Sequence, residues 1–336
     1  MKVLLTGSEG FIGGYIVKEL LDNGHEVVGI DNLSKYGKIV REHSEDKRYT
    51  FYNHDVKDAE FLLDKMSECD YLIAGAAMIG GISYFHDYAY DLLSENEKII
   101  STTTDAAIIC QNEHKLKRTV FLSSSMVFES SERFPTKESD IMEIPPPISS
   151  YGFQKLAVEY FARAANLQYG LEYSIARPFN CVGVGEVRAS SGDENSKQLT
   201  LSHVVPDLIL KTLNAEDTIE ILGSGNQIRH YTYGEDLAKG IVMLLDHPKA
   251  KNNDFNLSTS ESTTVLELAE MIWNKIKPEK EFNYTSANPY EYDVQKRIPS
   301  TVKAKEVLGF QAQTDLSKML DIVIPWIEDA YAKGYY

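Results

Sequence analysis

Short apolar runs alternate with longer amphipathic stretches over the first half of the chain. An apolar run bounded by polar residues predicts a buried strand, and apolar positions at helical spacing predict a helix packed on the sheet. The predicted strands cover residues 2–6, 26–30, 49–53, 70–75, 118–123 and 172–176. The predicted helices cover residues 11–23, 58–66, 90–113 and 151–168. This order indicates an α/β fold, with a doubly wound parallel sheet covered by helices on both faces.

The second half of the chain does not continue this alternation. Residues 186–203 are polar and rich in serine and glycine, which predicts a flap-like loop, and a helix is expected to begin at His203. We therefore expect a first domain over residues 1–180 and a smaller C-terminal α/β lobe over residues 181–336, allowing for interleaving near residues 215–255.

Three glycines follow the first predicted strand at regular spacing. Gly7, Gly10 and Gly13 predict a tight turn into a helix that begins at Phe11 and Ile12. The unpaired N–H groups and the positive dipole end of such a helix attract a diphosphate. Glycine at these positions lets both the pyrophosphate and the helix approach the turn. We therefore assign these five residues to a dinucleotide-binding turn of a Rossmann-type fold.

The second predicted strand ends in an acidic residue, Asp31, 18 residues after Gly13. A carboxylate at this point accepts hydrogen bonds from ribose hydroxyls and repels a 2′-phosphate, which favours NAD over NADP. A turn or helix-capping role is the alternative. We assign Asp31 and the adjacent Asn32 to the cofactor site. The polar stretch 32–48 follows, and we expect its basic residues to lie on a solvated loop.

Two further strand ends face the same edge of the predicted sheet. Asp55 and Val56 follow the third strand, where the carboxylate could meet the adenine amino group or could cap the next helix. Ala74 and Ala76 end the fourth strand, and small side chains there let a flat cofactor lie against the strand ends. We include these four residues in the predicted NAD site.

A tyrosine and a lysine four residues apart predict the chemical centre. Tyr151 and Lys155 lie on one face of a predicted helix, and a strand that ends in Ser123, Ser124 and Ser125 precedes them. A nearby ammonium lowers the pKa of a phenol, so we expect Tyr151 to act as a base near neutral pH. Such a base can remove the proton of a sugar hydroxyl while hydride leaves the carbon.

The composition narrows the class of protein. The chain has 336 residues and a formal net charge of −16, which argues against binding nucleic acid or an anionic membrane surface. It contains no long apolar run and no signal peptide, so we expect a cytoplasmic protein. Three scattered cysteines lack the spacing of metal ligands, and we expect them to be buried and reduced, with no metal bound.

The chain resembles the extended short-chain dehydrogenase/reductase superfamily, in its NAD-dependent nucleotide-sugar epimerase and dehydratase branch, over nearly its whole length. The motifs that carry the resemblance are Thr6–Gly13, Asp31, Ser123–Phe128, Tyr151–Lys155, Ala176–Asn180, Gly223–Asp236 and Arg297–Gly309. The resemblance implies that NAD is the cofactor, that a nucleotide-diphosphate sugar is the substrate, and that the protein is a homodimer formed through the helices 90–113 and 151–168. Residues 181–336 then form the nucleotide-sugar-binding lobe.

The resemblance also implies roles for individual residues. The catalytic serine of the branch falls on Ser124, three residues before Val127, and Pro178 lies beside the nicotinamide. Arg229 and Arg297 are expected to clamp the diphosphate, because guanidinium groups match phosphate oxygens. The complete set expected to contact the substrate is Gly80, Ser124, Ser125, Met126, Asn180, Val204, Arg229 and Arg297.

The two residues directly before Val127 bear on which reaction the protein catalyses. Resembling dehydratases carry acidic residues where this chain has Ser125 and Met126, and a thioether cannot transfer a proton. Elimination or epimerisation at C3 or C5 would need a shuttle such as His86 or Glu129, whereas epimerisation at C4 needs none. A loop resembling that of GDP-fucose synthases keeps a 4-keto reductase, a 3,5-epimerase and a dehydratase open as alternatives. The sequence favours a C4 epimerase.

Overall fold

The central feature of the fold is a seven-stranded parallel sheet. The computed structural model describes residues 1–37, 41–79, 88–186, 203–288 and 294–334. The strands of the sheet are β1 (Lys2–Thr6), β2 (Glu26–Asp31), β3 (Tyr49–Asn53), β4 (Tyr71–Ala74), β5 (Arg118–Leu122), β6 (Tyr173–Pro178) and a late strand, Asn253–Leu257. Their order is Asn253–Leu257, β6, β5, β4, β1, β2, β3. The order reverses between β1 and β4, and ligands bind at such a switch point in open α/β sheets.

Helices cover both faces of this sheet, as the apolar pattern predicted. They are α1 (Phe11–Asp22), α2 (Ala59–Ser67), α3 (Ala89–Glu113) and α4 (Ser150–Tyr169), and their bounds agree with the predicted ones to within two residues. α1 packs on one face, and its Ile16 and Leu20 share a core with Val3 and Leu5 of β1. α2, α3 and α4 pack on the other face around Leu4, Leu72 and Phe121. The predicted α/β fold class is confirmed.

A second lobe is built mainly from the C-terminal half of the chain. Its helices are α5 (Val204–Asn214), α6 (Gly234–Met243), α7 (Val265–Ile276) and α8 (Leu316–Ala332). Short strand pairs join β7 (Cys181–Val182) to β10 (Thr232–Tyr233), β9 (Ile228–Arg229) to β12 (Thr263–Thr264), and β8 (Ile219–Leu222) to β13 (Tyr284–Ala287). The buried Trp273 of α7 lies in a core that also includes Leu208 of α5 and Leu320 of α8.

The chain returns to the first sheet before it ends. Asn253–Leu257 pairs in parallel with β6, so we name it β11 by its place in the chain, after the short strands of the second lobe. Leu237 and Ile241 of α6 lie in the same core as α1. The two parts of the chain are therefore interleaved in space, and the domain boundary at residue 180 stays a prediction.

A tyrosine on α1 joins the sheet to the second lobe. The hydroxyl of Tyr15 accepts a hydrogen bond from the backbone N–H of Val184 at 2.7 Å. A side chain at Gly183 or Gly234 would overlap the Tyr15 ring, so both backbones pass directly against it. The helix that begins at the glycine turn therefore also fixes the start of the second lobe.

The structure also bears on membrane-spanning helices and on the state of the three cysteines. Within the described residues, no helix combines the length and the apolar character needed to cross a membrane. Cys69 and Cys110 are buried and Cys181 is half-buried, and all three are free thiols.

Candidate functional site

The glycine turn joins β1 to α1 in the predicted way. Gly7 has a φ of +77°, and the N–H of Gly10 donates to the carbonyl of Gly7 at 3.2 Å. A Cβ at Gly13 would lie 2.0 Å from the carbonyl oxygen of Gly7, so only glycine lets the helix lie this close. No side chain caps α1, and its first turn carries no acidic residue. The N–H groups at Phe11 and Ile12 thus begin a helix suited to holding a phosphate.

Asp31 lies beside this turn, where the sequence predicted it. Its Oδ2 accepts a hydrogen bond from the N–H of Glu9 at 3.1 Å, and its Oδ1 accepts one from the N–H of Leu33 at 2.8 Å. Burial raises the pKa of Asp31, against the opposing effect of these backbone N–H groups. The adjacent Asn32 is exposed and accepts a hydrogen bond from the N–H of Ser34. The acid at the end of β2 is therefore held at the glycine turn.

An arginine that the sequence analysis placed on a solvated loop lies against the same turn. Nη2 of Arg41 donates to the carbonyl oxygens of Glu9 and Gly10, at 2.9 and 3.1 Å. The side chain is only 12% exposed, and it fills the space where Gly14 has no Cβ. The expectation for the basic residues of 32–48 was therefore wrong for Arg41. A contact between a loop and a turn 31 residues away leaves no periodic signal in the sequence.

The residues predicted after β3 and at the end of β4 lie at the same edge of the sheet. Asp58, not Asp55, caps α2, because its side chain accepts a hydrogen bond from the N–H of Phe61. The capping alternative for Asp55 is thereby removed; its carboxylate accepts a hydrogen bond from the N–H of Lys57, and Val56 beside it is buried.

The end of β4 is tied to β1 and to α3. The Thr6 hydroxyl accepts hydrogen bonds from the N–H groups of Gly75 and Ala76, both at 3.1 Å. The Asn96 side chain both donates to and accepts from the backbone of Met78. These contacts fix the small residues Ala74 and Ala76 at the switch point, and neither Thr6 nor Asn96 was predicted. Gly80 and His86 lie outside the described residues.

Ser124, Tyr151 and Lys155 come together at the end of β5. Each of the three is less than a tenth exposed. The hydroxyl of Ser124 lies close enough to the phenol of Tyr151 to act on its pKa. Nζ of Lys155 donates to the carbonyl oxygen of Leu122 at 3.0 Å, one residue before the serine cluster. The structure thus brings the three predicted catalytic side chains into one buried cluster.

The protonation of this cluster differs from the sequence expectation. Burial raises the pKa of Tyr151, while the nearby Ser124 hydroxyl and the charge of Arg297 act in the opposite direction. Burial also lowers the pKa of Lys155 from 10.5 to about 8. The expectation that the pKa of the Tyr151 phenol would fall was therefore wrong, because the effect of burial is larger than that of the neighbouring charges. Both groups are desolvated, and desolvation disfavours the charged form of each.

The residues that bear on the type of reaction are Ser125, Met126 and Glu129. Ser125 and Met126 begin a short 3₁₀ turn, and Met126 packs against Tyr151 and Leu92. The carboxylate of Glu129 accepts hydrogen bonds from both the N–H and the hydroxyl of Ser149, at 2.9 and 2.8 Å. Glu129 thus holds Ser149, the N-cap residue of α4, and this structural role argues against its acting as a proton shuttle.

The predicted substrate residues lie where β6 leaves the sheet and in the second lobe. Pro178 ends β6, and Asn180 follows with a φ of +35°. The Asn180 amide donates to the carbonyl of His230 at 3.1 Å, and its oxygen accepts a hydrogen bond from Arg297 at 3.2 Å. Arg229 lies close enough for its charge, like that of Arg297, to act on the buried Tyr231 hydroxyl.

Val204 is the first residue of α5 and is half-buried. The structure therefore brings Asn180 and Arg297 into direct contact and places Arg229 in the same region of the second lobe. Within the described residues, no group of three or more histidine, cysteine or acidic side chains could hold a metal ion.

Lys155→Met should change how stability depends on pH. The folded protein holds Lys155 with a pKa of about 8, whereas the unfolded chain has its ordinary value of 10.5. Between these values the unfolded chain binds more protons, so the free energy of unfolding of the wild type should rise with pH relative to that of the variant, by about 3 kcal/mol in total. Urea unfolding at pH 8 and pH 10 measures this difference, and an unchanged difference would contradict the assigned environment.

Arg41→Ala should weaken cofactor binding. Its guanidinium holds the carbonyl oxygens of Glu9 and Gly10 at the uncapped start of α1, and hydrogen bonds from a charged group contribute about 1.5–3 kcal/mol, so loosening this turn should raise the Kd for NAD about tenfold or more. Calorimetry on protein freed of nucleotide measures this Kd. Arg48→Ala is the matched control, because Arg48 lies on the same stretch but pairs with Asp46 at the surface. Equal Kd values for the two variants would refute the role of Arg41.

Comparison with known proteins extends these observations. The sequence model of the NAD dependent epimerase/dehydratase family matches residues 3–258. The chain is 26% identical to UDP-glucose 4-epimerase of Lacticaseibacillus casei, over 98% of this chain and 97% of that protein. It is 28% identical to the crystal structure of UDP-glucose 4-epimerase from Thermotoga maritima with UDP-glucose, with a TM-score of 0.81 over 98% of this chain and all of that one.

A structure of UDP-glucuronic acid 4-epimerase from Bacillus cereus, in complex with UDP-glucuronic acid and NAD, has the same fold. Its TM-score is 0.83 at 22% identity, over 98% of this chain and 100% of that one. The family match covers most of the chain and agrees with the glycine turn and the order of the sheet. The chain therefore belongs to the NAD dependent epimerase/dehydratase family, and NAD is its cofactor.

Proposed function

We propose that the protein inverts C4 of a nucleotide-diphosphate sugar through a 4-keto intermediate. The observation that carries this proposal is the packing of Met126 against Tyr151. The position that would supply an additional proton donor beside the sugar holds an apolar thioether instead. Inversion at C4 needs only one group that removes and returns a proton, and Tyr151 is that group.

In this mechanism Tyr151 acts as its phenolate, which the charge of Arg297 favours against the effect of burial, and removes the proton of the C4 hydroxyl. Ser124 lies beside the phenol, and in our proposal its hydroxyl is within reach of the same sugar hydroxyl. NAD bound beside Tyr151 would supply the redox chemistry, as acceptor of the hydride from C4 and as its donor to the opposite face of the 4-keto sugar. Tyr151 then returns the proton, so the sugar gains and loses no atoms.

The uncapped start of α1 would hold the diphosphate of NAD. Gly7 and Gly13 leave no Cβ at the turn, Asp31 would accept the hydroxyls of the adenosine ribose, and Arg41 brings a positive charge. Asp55 and Val56 would lie at the adenine, and Ala74, Ala76 and Pro178 would lie against the nicotinamide half of the cofactor.

On the substrate side, Arg229 and Arg297 would bind the sugar-nucleotide diphosphate. Asn180 is held between Arg297 and the His230 carbonyl, which fixes its amide for contact with the same group. The similarity to UDP-glucose 4-epimerases supports a uridine diphosphate sugar as the substrate. Of the two candidate shuttles for other reactions, Glu129 is bound to Ser149, which weighs against elimination and C5 epimerisation.

Incubation with a panel of nucleotide-diphosphate sugars tests this function. We expect one of them to give its C4 epimer by NMR, with no deuterium incorporated at carbon in heavy water, because hydride moves directly between C4 and the cofactor. Loss of water, or deuterium at C3 or C5, would instead identify a dehydratase or a 3,5-epimerase. A product that accumulates only with added NADH or NADPH would identify a 4-keto reductase.

Tyr151→Phe provides the matching variant. It removes only the phenol oxygen, so NAD should remain bound while turnover falls about a thousandfold or more, as expected for loss of an acid–base group within its catalytic cluster. Turnover equal to that of the wild type would refute the assignment of Tyr151.

We also propose that the protein is a homodimer formed through α3 and α4. The exposed apolar side chains Phe153, Tyr160 and Leu167 follow one another at seven-residue spacing on α4 and are 48%, 61% and 90% exposed. This spacing places them on one face of the helix. Tyr90 on the neighbouring α3 is 79% exposed. Apolar stripes of this kind mark interaction surfaces.

Tyr160→Glu should therefore convert the dimer to a monomer. A charge at the centre of the stripe would be buried without a partner, which opposes association. Light scattering after size exclusion measures the mass of the particle. Ile322→Glu is the control, because Ile322 is an exposed apolar residue on α8 in the second lobe. A monomeric wild type, or a Tyr160→Glu variant that stays dimeric, would contradict this proposal.

A further inference from the structure

A buried carboxylate joins the chain segments that carry the proposed chemistry. We propose that Glu159 is a positioning residue. By accepting a hydrogen bond from Ser123, it fixes the position of the next residue, Ser124, relative to Tyr151. This inference rests on the proposed roles of Ser124 and Tyr151, and it assigns to Glu159 a part in the reaction that needs no contact with the substrate.

Glu159 lies on the catalytic face of α4. It follows Tyr151 by eight residues and Lys155 by four, so the three side chains lie along one face of the helix. The Glu159 side chain is fully buried, although glutamate is rarely found in such a position without a partner. A charge buried on this face requires a specific set of hydrogen-bond donors.

The first donor comes from the end of β5. The hydroxyl of Ser123 donates to Oε1 of Glu159 at 2.7 Å. One residue earlier, the carbonyl oxygen of Leu122 accepts the hydrogen bond from Nζ of Lys155. Two consecutive residues of the strand end are thus tied to two successive turns of α4. Because Ser124 is the next residue, these two contacts fix where its hydroxyl meets the phenol of Tyr151.

The remaining donors hold the carboxylate itself in place. Nε and Nη2 of Arg177 on β6 donate to the two oxygens of Glu159, both at 2.6 Å, and this guanidinium is also fully buried. Nη2 of Arg177 also donates to Asp254 on β11. A bidentate pair has a defined orientation in the plane, so Glu159 cannot rotate away from Ser123.

This pair also reaches the third segment of the proposed site. Arg177 directly precedes Pro178, which we assign to the nicotinamide, and Asn180 follows shortly after. One carboxylate therefore links the strand end that carries Ser124, the helix that carries Tyr151, and the strand end that carries Pro178. The same carboxylate also meets the half-buried Arg163 of α4, whose Nη2 lies 3.3 Å from its Oε2.

Ser123→Ala tests this role with little other change. It removes the hydrogen bond to Glu159 and leaves the pair between Glu159 and Arg177 intact. Ser174→Ala is the matched control, because Ser174 is equally buried on β6 and its hydroxyl donates to main-chain carbonyl oxygens. We expect Ser123→Ala to lower kcat about tenfold or more at unchanged KM, because misplaced reacting groups mainly affect the chemical step.

A second measurement does not depend on turnover. Tyrosine labelled with ¹³C at Cζ reports ionisation of the phenol by NMR, and Tyr151→Phe identifies the signal of Tyr151. The nearby Ser124 hydroxyl opposes the rise in the pKa of Tyr151, so displacing that hydroxyl from the phenol should move the titration to higher pH. We expect this shift in Ser123→Ala and not in Ser174→Ala, with both proteins saturated with NAD.

A double-variant comparison tests whether Ser123 acts through Glu159. If it does, Ser123→Ala together with Glu159→Met, which has no oxygen to accept the hydrogen bond, should lower kcat no further than Glu159→Met alone, because residues that share one interaction are not additive. Additive losses would overturn the role of Glu159. Should Ser123→Ala not fold, Ser123→Cys and Ser174→Cys give the same comparison, since a thiol is a weaker donor of similar size.

The outcomes separate this inference from the proposed function. A Ser123→Ala protein whose kcat and Tyr151 titration both match those of Ser174→Ala overturns the inference, whatever the substrate. A wild-type protein that turns over none of the sugar nucleotides overturns the proposed function, and the Tyr151 titration then decides the inference by itself.

Discussion

The hydrogen bond from Lys155 to the carbonyl oxygen of Leu122 is the contact on which the proposed site depends. A lysine in a desolvated position stays ordered only with a partner, and this partner is the main chain of β5 just before its serines. The contact fixes the distance between α4 and the sheet. Helix α4 cannot slide along β5 without leaving the Lys155 nitrogen unpaired, so this hydrogen bond, together with the one from Ser123 to Glu159, sets the relative position of Ser124 and Tyr151.

The charge of the molecule and the charge of the site have opposite signs. The chain carries a formal net charge of −16, yet three arginines lie buried or half-buried at the two places proposed for diphosphates. Arg41 lies at the glycine turn, and Arg229 and Arg297 lie near Tyr231 in the second lobe. The acidic exterior repels polyanions at long range, whereas the guanidinium groups act at contact distance on a ligand of complementary shape.

The sequence predicted the parts of the fold that depend on local pattern. The strands and helices of the first half, the glycine turn and the spacing of Tyr151 and Lys155 all follow from neighbouring residues, and the structure contains each of them. Arg41 was placed wrongly because its contact with Glu9 depends on how a loop folds back over a turn. The pKa of Tyr151 was expected to fall because spacing reveals a neighbouring charge but not the degree of burial that opposes it.

The pairing of β11 with β6 has a consequence for how the chain can be divided. A fragment ending at residue 180 would present β6 as an unprotected edge, with hydrogen-bonding groups that invite pairing between molecules. It would also lack Asp254, leaving the guanidinium of Arg177 with one carboxylate instead of two. We therefore expect that residues 1–180 do not fold as an autonomous module, because during synthesis their sheet stays incomplete until some eighty further residues have emerged from the ribosome.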